Sequence, residues 1–201
     1  MTRPARVASL VAIVTVAAAV VFHGRVLAGV AGFMSDGDPL ARADAILALT
    51  DSDRSPFAAA DLYRRGYAPQ VLVARTRATR LEAAGLLPPR SDVWRRVLMH
   101  EGVPASAIAM VGRDLRDAVG VGRTLSSPPL RYHRIIVVVF APLCRIARAD
   151  LRRGAASAPL EFVMHPVESD EFDRRTWWKS PHGVVTYFDS YVLWVLRFVR
   201  S

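Results

Sequence analysis

Cysteine occurs once in this chain, as Cys144, so no intramolecular disulfide can form and no cysteine-based metal cluster can be built. Lysine also occurs once, as Lys179, and arginine supplies nearly all of the positive charge behind a net +9. No repeat of fixed period and no low-complexity tract interrupts the sequence. Several motifs are missing too. No Gly-x-Gly-x-x-Gly follows the first apolar run, which removes the usual dinucleotide fingerprint, and no phosphate-binding loop is present. Ser52 and Ser55 have no Gly-x-Ser-x-Gly context, so a nucleophile elbow is not indicated. Zinc-finger spacing and the aromatic-basic signature of an RNA-binding sheet are absent, and nucleic acid is not an expected partner. The arginines are scattered along the chain, as surface positions filled by arginine would be; attraction to lipid headgroups or an acidic envelope polymer is the alternative.

What is present is globular: 52% of the 201 residues are hydrophobic and 22% charged. Arg3 and Arg6 precede Val7 to Phe22, a run without charge. A spanning helix wants about 20 apolar residues, and Arg25 can snorkel so that Val26 and Leu27 extend the run. Two arginines at the start favour a cytoplasmic N-terminus. The expectation is a single-pass anchor in the inner (plasma) membrane within residues 1–35, with a domain over 36–201 on the extracytoplasmic, periplasmic side. A cleaved signal peptide is the rival, since Val26-Leu27-Ala28 and Gly29-Val30-Ala31 offer small residues to a peptidase.

Within the domain, Ala43 to Leu49 is a short apolar run, and Thr50 to Ser55 is a polar turn. Phe57 to Gly66 is amphipathic, and Ala68 to Ala74 is apolar again. This predicts strand, helix, strand, with parallel buried strands. Ser55-Pro56 and Ser91-Asp92 are expected to start helices, and Asp114 to cap a third running to about Leu125, which Gly120 and Gly122 weaken. Ala107 to Val111, Ile135 to Phe140 and Leu160 to Met164 are further strands. Pro142 to Arg153 and the largely apolar Val184 to Val199 are helices. The latter either packs across the sheet or, given Trp194, Arg197 and Arg200, touches the bilayer. The predicted fold class is α/β: a Rossmann-like, doubly wound, mostly parallel sheet of about five strands, preceded by one transmembrane helix. In such folds ligands sit where strands end, which nominates Thr50 to Ser55.

The order of these pieces resembles the YdcF/SanA/ElyC-like family, a bacterial group with a domain of unknown function. The likeness runs from Ala43 to Val199 through the first strand, Arg54 with Ala60, Leu62-Tyr63 and Gly66, the Ala68-Pro69-Gln70 strand, Gly102-Val103-Pro104 with Ile108, and Arg148-Ala149. It implies a membrane helix, a Rossmann-like domain and a role in envelope or cell-wall maintenance. The chain departs from the family pattern at its glycines: Thr50-Asp51 and Ala74-Arg75-Thr76 stand where glycines follow the first two strands. Asp114 and Asp117 align with a threonine and an asparagine, and Arg145 with a histidine. Side chains there narrow the approach of an anion to the backbone, and arginine cannot shuttle protons as histidine does.

The ligand-binding candidates are therefore Thr50, Asp51, Arg54, Asp114, Asp117, Arg145 and Arg148, all expected near the carboxyl ends of the strands. Either the arginines grip the phosphate or carboxylate of an anionic small molecule or envelope precursor, with an aspartate as base or metal ligand, or the same residues pair with each other as a structural ion network. The sequence identifies no metal site and leaves the cofactor open. A hydrolase or transferase acting on a phosphate-containing envelope substrate is the enzymatic alternative, and requires Asp51, Asp114 and Asp117 to converge. A structural partner in a membrane complex is the third.

Overall fold

The structure, a computed structural model, describes residues 22–49, 52–128, 131–156 and 158–199. Helix α1 covers residues 22–35. Then follow β1 (Ala45–Ala48), α2 (Ser55–Arg64), β2 (Val71–Thr76), the short α3 (Arg80–Ala83), α4 (Arg90–His100), β3 (Ile108–Leu115), α5 (Ala118–Leu125), β4 (Arg134–Phe140), α6 (Cys144–Ala155), β5 (Glu161–Val167) and α7 (Pro181–Val199). The five strands form one all-parallel sheet in the order β3-β2-β1-β4-β5. The expected α/β, Rossmann-like class is what the chain adopts. Among the described residues no helix is long and apolar enough to cross a membrane. The expected anchor, Val7 to Phe22, lies outside those residues except for Phe22.

Alternation within continuous apolar strands sorts the core into two layers. Ala45, Leu47, Ile135 and Val137 face one side, where Val121 and Leu125 of α5 and Cys144 and Leu151 of α6 cover them. Ile46, Ala48, Ile136 and Val138 face the other, under Ala59 and Leu62 of α2 and Trp94 and Leu98 of α4. Because both faces are covered, β1 and the centre of β4 tolerate no polar residue, and this is why they read as unbroken apolar runs. At the amino end of the sheet Asp44 clamps the two: its carboxylate accepts the His133 and Arg134 backbone N–H groups at 2.6 and 2.9 Å, and its own N–H donates to Arg134 O. These bonds hold its carboxyl below the usual range.

Three helix starts differ from expectation. Ser55 is the first helical residue of α2 instead of its cap, and Arg54 takes the cap position. In α4 the helix begins at Arg90, one residue before Ser91-Asp92. The cap of α5 is Asp117, which accepts the Gly120 N–H at 2.8 Å, while Asp114 belongs to β3. The α5 difference has its cause in tertiary pairing: β3 runs on through an irregular register opposite Ala74 and Thr76, which takes Asp114 into the strand. Asp114 there adopts a left-handed backbone with φ 53°, a conformation that aspartate tolerates better than most residues.

Helix α7 packs on α1 and α6. Ala31 and Met34 of α1, Ile146 of α6, Phe172 and Tyr187 make a third small core, closed by a hydrogen bond of 2.9 Å between Ser35 Oγ and Tyr187 Oη. Residues 22–35, grouped with the anchor by sequence, thus lie against the domain.

Candidate functional site

The strand order places its reversal between β1 and β4, and the crevice beyond their carboxyl ends is where open α/β sheets bind ligands. The wall on the β1 side is the turn into α2. Ser52 organises it: its carbonyl accepts the Ser55 N–H at 3.1 Å and its hydroxyl the Arg54 N–H at 3.3 Å. Arg54 offers α2 no side-chain cap, and the first turn of α2 carries no acidic residue. Ser55 is fully buried, and its Oγ has no hydrogen-bond partner among the described residues. The first turn of α2 thus carries no carboxylate of its own to compensate the positive end of the helix dipole, although Asp53 just before it lines the same crevice.

The opposite wall comes from the segment after β5. Arg54 Nη1 meets Asp170 Oδ1 at 2.8 Å, with side chains about half and four-fifths exposed, and reaches Glu168 O at 3.5 Å. Glu171 Oε2 lies 2.7 Å from His182 Nδ1. Phe172 packs edge-on to both His182 and Phe140, the last residue of β4. Ser52, Arg54, Phe140, Asp170, Glu171 and His182 line a mouth of about 310 Å³. Beside it the Oε2 of Glu168 is buried without a hydrogen-bond partner among the described residues. Burial pushes the Glu168 carboxyl up, against the opposing pull of Arg174.

The residues nominated by sequence are dispersed. Thr50 and Asp51 lie outside the described residues. Arg54 is at the mouth. Asp114 lies 3.8 Å from Arg77 Nε at the ends of β2 and β3, and lines a separate shallow depression with Arg75 and Arg113. Asp117 caps α5 and borders an apolar cleft of about 330 Å³ together with Leu49, Ile146, Leu193 and Arg197. Arg145 and Arg148 do come together, on the α1 side of α6. The Arg145 guanidinium lies 3.8 Å from the centre of the Phe33 ring and donates to Phe33 O. Arg148 Nη1 meets Asp38 Oδ1 at 2.9 Å and its Nη2 donates to Asp36 O at 3.2 Å. Asp38 in turn accepts the Met164 N–H at 2.8 Å and donates its own N–H to Met164 O. Arg148 thus fastens the segment between α1 and β1 to β5 and α6. Arg54, Asp114 and Arg148 form ion pairs, but with residues outside the candidate set.

Asp170, Glu171 and His182 were not among the sequence candidates. A signal existed: Glu168 to Asp173 is an acidic stretch directly after a strand, and the strand-end logic that selected Thr50 to Ser55 applies to it equally. Among the described residues no group of three or more His, Cys, Asp or Glu side chains is placed to hold a metal ion. No family model matches this sequence, and no curated protein matches it.

Proposed function

We propose that this chain is a divergent member of the YdcF/SanA/ElyC-like family. On this reading it is anchored in the inner membrane with its α/β domain outside the cytoplasm, and its β1–β4 mouth binds an anionic small molecule or envelope precursor. The observation that carries the binding reading is the α2 amino terminus: a helix end without a carboxylate in its first turn, with Arg54 at the cap and the Ser55 hydroxyl unpartnered among the described residues. An anion there gains the helix dipole, worth about 0.3–1 kcal/mol when exposed and up to ~2 when partly buried. Arg54 must exchange Asp170 for the ligand. That pair is exposed on both sides, and exposed pairs are worth about 0–1 kcal/mol, so the exchange costs little. Arginine then supplies a bidentate fork suited to phosphate or carboxylate.

The test is thermal stability of the full chain in detergent, titrated with inorganic phosphate and pyrophosphate. The wild type is expected to gain stability with ligand, and Arg54→Ala to lose that gain while keeping its own ligand-free midpoint, since truncating an exposed side chain shifts stability by less than about 0.5 kcal/mol. An undiminished shift in Arg54→Ala would rule the site out. Arg148→Ala is no test of binding, because it releases the segment that Asp36 and Asp38 hold.

The hydrolase or transferase reading has one observation in its favour. Glu168 presents a buried oxygen without a described partner and a raised carboxyl pKa next to the mouth, a pattern found at proton-transfer sites. It predicts slow turnover of a generic phosphomonoester that Glu168→Gln abolishes. The same substitution should stabilise the fold at neutral pH. A carboxyl raised above its ordinary 4.5 penalises the folded state increasingly as pH rises past that value, and glutamine removes the penalty. The gain should vanish below about pH 4.5, where both states are protonated. Turnover unaffected by Glu168→Gln would eliminate this role.

A further inference from the structure

Twelve of the seventeen large apolar side chains exposed among the described residues belong to two helices, α1 and α7. On α7 they recur at helical spacing: Val185, Phe188, Val192, Val195 and Val199, with Phe188 66% and Val199 75% exposed. On α1 the outward residues are Phe22, Val26 and Val30, while the partly exposed Phe33 turns towards α7. The inner sides of both helices are already used. Phe33 stacks on Tyr191 and meets Trp194 edge-on, Trp177 Nε1 donates to Leu27 O at 3.0 Å, and Ser35 bonds Tyr187. A rigid pair of helices therefore presents far more apolar surface than scattered surface leucines would.

We propose that the outer faces of α1 and α7 rest on a lipid bilayer bearing anionic headgroups, and hold the domain against it. This rests on the anchored reading above. Three observations select a bilayer as the occupant. The uncharged run Val7 to Phe22 leads directly into α1, and Phe22 and Val26, the first described residues of the patch, continue it. Trp178 lies beside His23 and Gly24 at that junction, and tryptophan favours the headgroup level. Arg25 and Lys179 flank the same end, and the net charge of +9 attracts anionic lipid while it repels a second copy. Asp189, exposed within the α7 stripe, sets the depth. A carboxylate there can reach water only if the helix lies in the interface plane, which excludes a crossing orientation.

Single cysteines introduced at Phe188, Val195 and, as a control, Leu86 in the turn after α3 can report contact in the full chain. Cys144 is buried and its thiol is pushed up to about 11, so it leaves the label to the new site. The protein is reconstituted into phosphatidylcholine–phosphatidylglycerol vesicles, labelled with an environment-sensitive fluorophore and quenched with spin-labelled lipid. Several-fold stronger quenching at 188 and 195 than at 86 is expected. Vesicle flotation is measured alongside. Protein that floats but quenches equally at all three sites overturns this proposal and spares the anchor. Energy transfer between labels at 188 on different copies, without lipid quenching, overturns it in favour of a dimer. Protein that fails to float overturns the anchored reading itself.

Discussion

Gly154→Ala is expected to destabilise the fold by about 2–4 kcal/mol, although alanine is the better helix former by ~1 kcal/mol. A Cβ at position 154 in α6 would lie 2.0 Å from the Val119 carbonyl oxygen of α5 and 2.9 Å from the Arg123 nitrogen. From the other side, a Cβ on Gly122 would lie 2.3 Å from Leu151 O. These obstacles are backbone atoms, which cannot rotate away, so the helices must separate and lose contact along Val121, Leu125, Leu151 and Ala155. Gly122, which weakens α5 on propensity alone, is thus, together with Gly154, what allows α5 to approach α6. Gly120 provides the internal control: its nearest neighbours are at 3.5 Å, an ordinary contact, so Gly120→Ala should be neutral or stabilising by up to about 1 kcal/mol. Urea denaturation of the three single variants and of the Gly122→Ala/Gly154→Ala pair checks this. The pair should cost less than the sum of its members, because separation is needed only once. A stabilising Gly154→Ala would show that the helices do not meet this closely.

Arg197→Met is expected to cost about 1–3 kcal/mol, less than the ~3–5 of a fully buried pair because the Arg197 side chain is 35% exposed while Asp150 is buried. Asp150 sits on α6 with 4% of its side chain exposed, and Arg197 of α7 approaches both of its oxygens, with Nε at 3.2 and 3.1 Å and Nη2 at 3.0 Å from Oδ2. Removing the guanidinium leaves a desolvated carboxylate facing the apolar cleft between α5, α6 and α7. Asp150→Leu/Arg197→Met should recover most of the loss, since both charges are then gone. The contrast is Arg54 with Asp170: the same two groups at a similar distance, but 48% and 79% exposed, and worth about 0–1 kcal/mol. If Arg197→Met costs no more than Arg54→Ala, the Asp150 pair is a surface pair.

The parts of the fold governed by local pattern were readable. The unbroken run Ile135 to Phe140 became all of β4 but its first residue, and Ala43 to Ala74 became β1, α2 and β2 with ends within a few residues. What escaped depends on partners distant in sequence. The choice of Asp117 over Asp114 as the α5 cap follows from how far β3 pairs with β2. The fitness of Gly122 follows from the backbone of α6. At the candidate site the strand-end rule found Arg54 but not Asp170, because the arrival of β5's exit segment beside that turn is a property of strand order. Arg148 was nominated by a resemblance and Arg145 by a departure from it, yet nothing in their own helix reveals that their guanidinium groups would be occupied by Phe33, Asp36 and Asp38.

The position of β1 at the middle of the sheet has a consequence for synthesis. β1, α2, β2, α4 and β3 are contiguous in the chain, so that half can assemble as soon as it emerges. β4 and β5 come last and add to the opposite edge of β1. Until residues 134–140 arrive, β1 offers an apolar strand with unpaired backbone groups on that edge, the kind of surface that templates association between chains. The hazard for this protein is therefore greatest during elongation, and it closes when β4 docks.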